Sequence, residues 1–495
     1  MTNLMPSRPS RLGTIEKIGY SLGDLAANLI FQTLLTFIAF FYTDVYQIAP
    51  GTAASIIFVG GLVGACFNPL MGLLADRTNT RWGKFRPWIL WTSIPFGLIS
   101  LLAFSTPDLG EQGKVAYALV TYILLMVIYS ANNLPYSALS GVLTGSMAER
   151  NSLSAYRFVA VMVAQFIIQV LLLPLVLILG NGDKALGFQN TMLIFAVVGT
   201  TFFLITFFTT RERVLPMTAQ QSSIGQDVRD LLGNRPWLVI LVLTILVFMT
   251  LALKGGMYIF YFKTYLSEAH LSAFLDDVGF LRFIDGLNGV LTSVGLTTFQ
   301  WPQDPATSGF SLFNAVGILM MIIGIGFSKP LADRFGKRDV FGAALLVSTL
   351  FMLCLYFLAP ESIGGVFLSQ SLHGFFYGIT IPLLWAMIAD VADYSEWKNT
   401  RRATALLFSA MIFGLKAGLS VGSALVAALL SAYGYDAQLA VQSPETTNGI
   451  RLSVSVYAAI PFLLAVCSLA LYEIRKSTEL QIEQELGARR AAAQH

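Results

Sequence analysis

Four polar side chains recur every fourth residue along the first apolar run: Tyr20, Asp24, Asn28 and Gln32. That spacing places them on one face of a helix. A second stripe, Tyr129, Asn133, Tyr136 and Ser140, steps by four, three and four. A third carries Lys254, Tyr258, Tyr261 and Tyr265, and a fourth Ser409, Lys416, Ser420 and Ser423. Arg157 lies just inside another apolar run, while His373 and Trp385 share a later one. Carboxylate, amide, hydroxyl and cationic groups of this kind suit a polyhydroxylated solute, and an aromatic ring stacks on the apolar face of a pyranose. The same stripes also suit helix–helix contacts. Arg157 can snorkel to an interface, and His373 can be a hydrogen-bonded core residue or a proton carrier. Lys254 and Lys416 discriminate better, because an ammonium deep in an apolar run is costly unless something uses it. No nucleophile–base or metal-ligand spacing falls within these runs, which argues against an enzyme and against a metal cofactor.

The elements that must position these residues are membrane spans. The 495-residue chain is 55% hydrophobic and 12% charged, whereas soluble domains average about 25% charged residues. Twelve apolar runs approach the roughly 20 residues that cross a bilayer. They cover 20–42, 53–74, 87–104, 115–139, 154–179 and 191–208, then 237–262, 312–327, 340–358, 366–388, 403–430 and 454–471. The expected architecture is an all-α membrane protein of about twelve helices in two pseudo-symmetric six-helix bundles. Its parts are an N-tail (1–19), a first bundle (20–208), a central loop (209–235), a second bundle (236–472) and a C-tail (473–495). A long outer loop at 266–310 interrupts the second bundle, and 224–232 predicts an amphipathic helix in the central loop. Arginines and lysines crowd one set of loops and acids the other, which predicts both termini on the cytoplasmic side. The basic residues lie between apolar runs, so there is no nucleic-acid footprint. Lipid and a small solute are the expected partners, and the chain is expected to be a monomer. Cys66, Cys354 and Cys467 sit far apart in apolar runs and form no disulfide framework.

One loop motif occurs twice. Leu74-Ala-Asp76-Arg77 precedes a basic stretch with Arg81, Lys84 and Arg86, and Leu331-Ala-Asp333-Arg334 precedes Lys337 and Arg338. The inside-positive bias accounts for the charge but not for the repeated order. A copy in each half suggests an internally duplicated membrane protein.

Several segments resemble one family. Lys17-Ile-Gly-Tyr-Ser-Leu-Gly-Asp24, Phe40-Phe-Tyr-Thr-Asp44, Asn68-Pro-Leu-Met-Gly72, Arg81-Trp-Gly-Lys-Phe-Arg-Pro-Trp88 and Trp385-Ala-Met-Ile-Ala-Asp-Val-Ala-Asp-Tyr-Ser-Glu-Trp397 are similar to the glycoside–pentoside–hexuronide:cation symporters. These form the melibiose-carrier-like branch of the major facilitator superfamily. The resemblance spans nearly the whole chain apart from the outer loop. It implies a bacterial inner-membrane importer of a sugar, glycoside or oligosaccharide, working by alternating access with a sodium ion or proton. The alternatives are a cation-independent facilitator or exchanger and a non-transporting receptor.

The departures from the family pattern carry information. Where the family places two carboxylates in the cation site of the second run, this chain has Gly64 and Asn68. The first-run and fourth-run acids align with Asn28 and Asn133, whereas Arg157, Lys416 and Trp385 match and Lys254 aligns with a basic position. Sodium prefers carboxylate or carbonyl oxygens, so a proton is the expected coupling ion. The polar stripes and the resemblance together give the expected substrate contacts: Asp24, Tyr136 and Tyr258 from the stripes, and Asn28, Asn133, Arg157, Lys254, Trp385 and Lys416 from what the resemblance implies. The candidates for coupling are Asp24, His373 and Asn68, and those for gating are Asp76, Arg77, Asp333 and Arg334. The cavity is expected to be electropositive unless Asp24 compensates, which would suit a uronate; a neutral glycoside is the other expectation.

Overall fold

The structure, a computed structural model, describes residues 12–144, 147–213, 233–295, 299–399 and 404–492. The expected central-loop helix at 224–232 lies outside them. The chain divides into two units, Met1–Gln220 with Leu287–Pro302, and Gln221–Gly286 with Gln303–His495.

The first unit contains α1 (Thr14–Phe40), α2 (Pro50–Arg77), α3 (Arg86–Ala103), α4 (Glu111–Leu143), α5 (Met147–Phe166), α6 (Leu172–Gly180) and α7 (Lys184–Thr209). A wide five-residue turn, Ile167–Leu171, joins α5 to α6, so the two form one continuous rod. Helix α1 packs against α5 and α7, α2 against α4, and α3 against α4 and α7.

The second unit contains α8 (Arg235–Thr264), α9 (Glu268–Asp277), α10 (Phe280–Ser293), α11 (Pro305–Phe335), α12 (Lys337–Cys354), α13 (Ile363–Asn399), α14 (Thr404–Ala432), α15 (Pro444–Leu452), α16 (Ala458–Ser468) and α17 (Lys476–Ala492). The second half of α10, from Leu287, falls in the first unit. Helix α8 packs against α14 and α16, α11 against α13, and α12 against α13 and α16. This repeats the pairing of the first unit helix for helix: first with fifth and sixth, second with fourth, third with fourth and sixth. Among the described residues, eleven helices are long and apolar enough to cross a membrane. Helix α3, with 18 residues and Arg86 at its start, supplies the remaining member of the first six.

Close approach between helices depends on small residues, as expected where lipid removes the hydrophobic drive for association. Gly414, Gly418 and Gly422 lie one turn apart on α14. A Cβ at Gly418 or Gly422 would come within 2.4 Å of the Ile245 carbonyl oxygen or 2.3 Å of the Met249 carbonyl oxygen on α8.

The outer segment, expected as a long loop, carries the helices α9 and α10. Leu271 and Leu275, one turn apart on α9, are 1% and 0% exposed, and Phe274 meets Phe367 of α13 with ring centroids 4.8 Å apart. These apolar contacts make α9 part of the second unit's packing. The segment is too short for a span, which hid its helical period among the loop residues.

Candidate functional site

In the first unit several expected residues converge. Asp24 is 5% exposed, and its carboxylate accepts a hydrogen bond from Arg157 Nε at 2.8 Å. Asn28, one turn along α1, donates to the Asp24 carbonyl oxygen at 2.8 Å and to its carboxylate at 3.3 Å. Tyr20 and Tyr136 stack with ring centroids 4.6 Å apart, and each hydroxyl donates to the other's backbone carbonyl, at 2.9 and 2.6 Å. The Arg157 guanidinium lies over both rings, 5.7 and 5.3 Å from their centroids. Gly23 permits this approach of α1 to α4, because a Cβ there would sit 2.6 Å from the Tyr136 ring.

The electrostatics follow from these contacts. Arg157 is not the bare cation that the neutral residues at Asn28 and Asn133 suggested. Asp24 supplies its counter-charge, and a matched pair relieves the desolvation that each ion suffers alone. The two ring faces add cation–π attraction. Arg157 keeps 27% of its side chain exposed, so its remaining guanidinium donors can meet a solute. Asn133 is half-buried; its neighbour Asn132 is fully buried and donates to Thr92 Oγ1 of α3 at 2.8 Å.

The α2 positions behave as a packing surface. A Cβ at Gly64 would lie 2.8 Å from Met126 Cβ of α4, and Ser130 Oγ of α4 stands 3.5 Å from the Gly64 carbonyl oxygen. A carboxylate side chain at position 64 would force these helices apart. Asn68 is buried one turn further on.

In the second unit, Lys254 of α8 is 9% exposed and His373 of α13 is 2% exposed. Lys254 Nζ contacts His373 Nε2 directly. On the other side of the ring, His373 Nδ1 faces the Ser348 carbonyl oxygen at 3.0 Å, and Ser348 Oγ donates to the His373 carbonyl oxygen at 3.0 Å. Tyr258, one turn beyond Lys254, reaches Gln370 Oε1 at 3.5 Å and meets Phe313 edge to face. Lys416 is half-buried on α14, and Trp385 is 43% exposed on α13. Twelve residues separate Trp385 from His373, about a third of a turn around the helix, so they occupy different faces. Ser348, Gln370 and Tyr377 escaped notice in the sequence. Gln370, His373 and Tyr377 follow a three-then-four spacing that signals one polar face, but serine at position 348 carries no such signal.

The loop residues divide. Arg77, Asp333 and Arg334 are exposed, and the Asp76 side chain lies outside the described residues. The first loop is held by Glu212, whose carboxylate accepts from the backbone N–H groups of Lys84, Phe85 and Arg86 at 2.9, 2.8 and 3.0 Å. The second is held by Lys476 of α17, which donates to the backbone carbonyls of Asp333 and Arg334 at 2.6 and 3.2 Å.

Comparison with known proteins places these features. A family model described as MFS/sugar transport protein matches residues 19–295 and 304–476. The inner membrane symporter YicJ of Escherichia coli (strain K12) is 35% identical over 455 residues, covering 92% of this chain and 90% of the relative. The putative glycoside/cation symporter YagG of the same organism is 32% identical over 477 residues, covering 96% and 95%. The isoprimeverose transporter of Lactiplantibacillus pentosus is 30% identical over 469 residues, covering 93% and 89%. Among solved structures, the nucleoside transporter NupG aligns with a TM-score of 0.58 at 13% identity, over 93% of this chain and 100% of that one. At that identity the likeness concerns the fold alone.

Proposed function

This chain belongs to the MFS/sugar transport family, within its glycoside–pentoside–hexuronide:cation symporters, and from that membership we propose that it imports a neutral glycoside or short oligosaccharide together with a proton. It is a secondary transporter of sugars and a multi-pass inner-membrane protein. The neutral cargo rests on one observation: Arg157 is already matched by Asp24 at 2.8 Å. The first unit therefore offers a solute a charge-balanced array of donors and acceptors rather than an uncompensated cation. Such an array matches the alternating donors and acceptors of sugar hydroxyls, and the exposed ring of Trp385 suits the apolar face of a pyranose. A buried array built to pair hydroxyls discriminates strongly, because an analogue lacking them leaves its polar groups unpaired.

The preference for a proton over sodium is supported by the packing at Gly64. The family-type acidic ligand is missing there, and Met126 fills the place where it would begin. Transport would proceed by alternating access, with the repeated Asp76-Arg77 and Asp333-Arg334 loops as cytoplasmic gates and both termini on that side. The working form is a monomer.

Proteoliposomes test the reading with isoprimeverose as the neutral probe and methyl glucuronide as the acidic one. Accumulation of isoprimeverose driven by an inside-alkaline pH gradient, with no response to a sodium gradient, is the expected result. Accumulation driven by sodium, equilibration without accumulation, or preference for the glucuronide would each overturn a stated part of it.

A further inference from the structure

The second unit buries two bases against each other, an arrangement that sugar binding alone does not require. Building on the proton-symport reading above, we propose that Lys254 and His373, oriented by Ser348, form the binding site of the transported proton.

The hydrogen-bond directions carry the argument. The Ser348 hydroxyl donates its one proton to the His373 carbonyl oxygen at 3.0 Å. His373 Nδ1 lies 2.9 Å from Ser348 Oγ and 3.0 Å from the Ser348 carbonyl oxygen; a carbonyl can only accept, which makes Nδ1 the donor there. With the Nδ1 proton fixed there, a neutral imidazole turns the Nε2 lone pair to Lys254. Lys254 donates into that lone pair either as an ammonium or as an amine, so the contact survives in both forms. One proton can therefore leave or join the site while every neighbouring hydrogen bond stays in place. Both bases cannot be protonated at once, because two facing N–H donors would leave two cations buried without an acceptor between them. The site thus switches between charges of zero and plus one.

Among the described residues, no carboxylate forms an ion pair with Lys254 that would lock the charge on. Within two turns of Lys254 and His373 along their own helices, the titratable groups are Tyr258 and Tyr261 on α8 and Tyr377 on α13; Lys416 lies on α14, which packs against α8. Helix α12 contributes Ser348, α16 contributes Phe462, and α11 contributes Phe313. The Tyr377 ring lies 5.5 Å from Lys254 Nζ and stacks beside the imidazole, offering the cation a π face. The acids of α11, α12 and α13, namely Asp333, Asp339, Asp390, Asp393 and Glu396, lie towards helix ends. Asp339 is nine residues before Ser348, about 14 Å along the helix. A permanent ion pair of the Asp24–Arg157 kind is therefore not formed here among the described residues. A proton that comes and goes needs such a site, whereas a structural lysine would be better served by an acid.

Two measurements on the full-length protein in lipid test this. In the first, 15N-histidine spectra of the wild type should show His373, assigned by its loss in His373→Gln, as a neutral ring with Nδ1 protonated. The ring should become an imidazolium on acidification only in Lys254→Met. A wild-type imidazolium coexisting with the intact fold would overturn the proposal. In the second, isoprimeverose is added to unbuffered proteoliposomes and the external pH is followed. The wild type should alkalinise the medium. His373→Gln and Lys254→Arg should each lose that signal, since glutamine takes up no proton and arginine does not release its own; His373→Gln, which replaces no expected sugar contact, should keep isoprimeverose counterflow. Wild-type alkalinisation retained in both variants would reject the site. If the wild type moves no isoprimeverose, the transport reading fails, and the histidine spectra decide the site by themselves.

Discussion

Asp24 and Arg157 show how a charge is kept inside an apolar bundle. Each would be costly alone, and the pair at 2.8 Å makes both tolerable. Asp24→Ala should destabilise the protein by about 3 kcal/mol, because Arg157 is left facing two tyrosine rings without its counter-ion. The additional replacement Arg157→Ala should cost much less than in the wild-type background, and a double-mutant cycle of thermal unfolding in detergent would measure the difference. An unchanged midpoint for Asp24→Ala alone would show that the pair contributes little. Arg157→Lys should not rescue transport, because an ammonium lacks the planar face that lies over Tyr20 and Tyr136. Polar stripes in the sequence brought out Tyr20, Asp24, Asn28 and Tyr136, because a four-residue spacing on a helix is geometrically binding. The partner of Arg157 was not legible there, since Asp24, Asn28 and Asn133 all lay on stripes and only three-dimensional distance selects among them.

Two elements are held by contacts that the loop charges alone do not reveal. Three backbone N–H groups at the start of α3 converge on Glu212, where the exposed amides and helix dipole favour an anion. Gly83 makes room for it: its φ is +112° and a Cβ would lie 2.4 Å from the Glu212 carboxyl carbon. Glu212→Gln should weaken the first unit by about 2 kcal/mol, the scale of hydrogen bonds to a charged acceptor, and faster hydrogen exchange at Lys84, Phe85 and Arg86 would report it. The C-tail, expected only as a tail, forms α17 and docks on the second unit. Lys337 binds Asp390 at 2.7 and 2.6 Å and approaches Glu479 of α17 at 3.6 Å. Burial pushes the Glu479 carboxyl up from its ordinary value, more than the neighbouring Lys337 pulls it down. A raised carboxyl destabilises the docked state when ionised, so docking should be firmest below the ordinary carboxylate pKa and weaken as pH rises through the raised one. A nitroxide at Leu480→Cys, an exposed position on α17, should grow more mobile over that rise. Mobility that does not depend on pH, or a dependence that persists in Glu479→Gln, would count against this account.

Across the molecule, the two units repeat one pattern of helix pairing but fill it with different chemistry. The first buries a balanced ion pair and the second a pair of bases. Duplication thus supplied two scaffolds, and their polar interiors diverged. If the repeated loops act as gates, Asp76→Ala should shift the carrier towards the inward-open state. Raised reactivity of reporter cysteines at the cytoplasmic helix ends would show it, and unchanged reactivity would remove Asp76 from the mechanism. The sequence by itself determined that the chain crosses a membrane as two sets of helices, because bilayer thickness fixes the length of an apolar run and helix geometry fixes the spacing of its polar residues. The order of its motifs was also enough to identify the family. Only the tertiary structure decided that Asp24 answers Arg157, that Lys254 rests on His373, that α9 joins the core and that Glu212 and α17 hold the loops. Those pairings join residues far apart in the chain, Lys254 and His373 by 119 positions, Asp24 and Arg157 by 133 and Lys476 and Asp333 by 143, and no local period encodes which distant side chain a fold will bring within 3 Å.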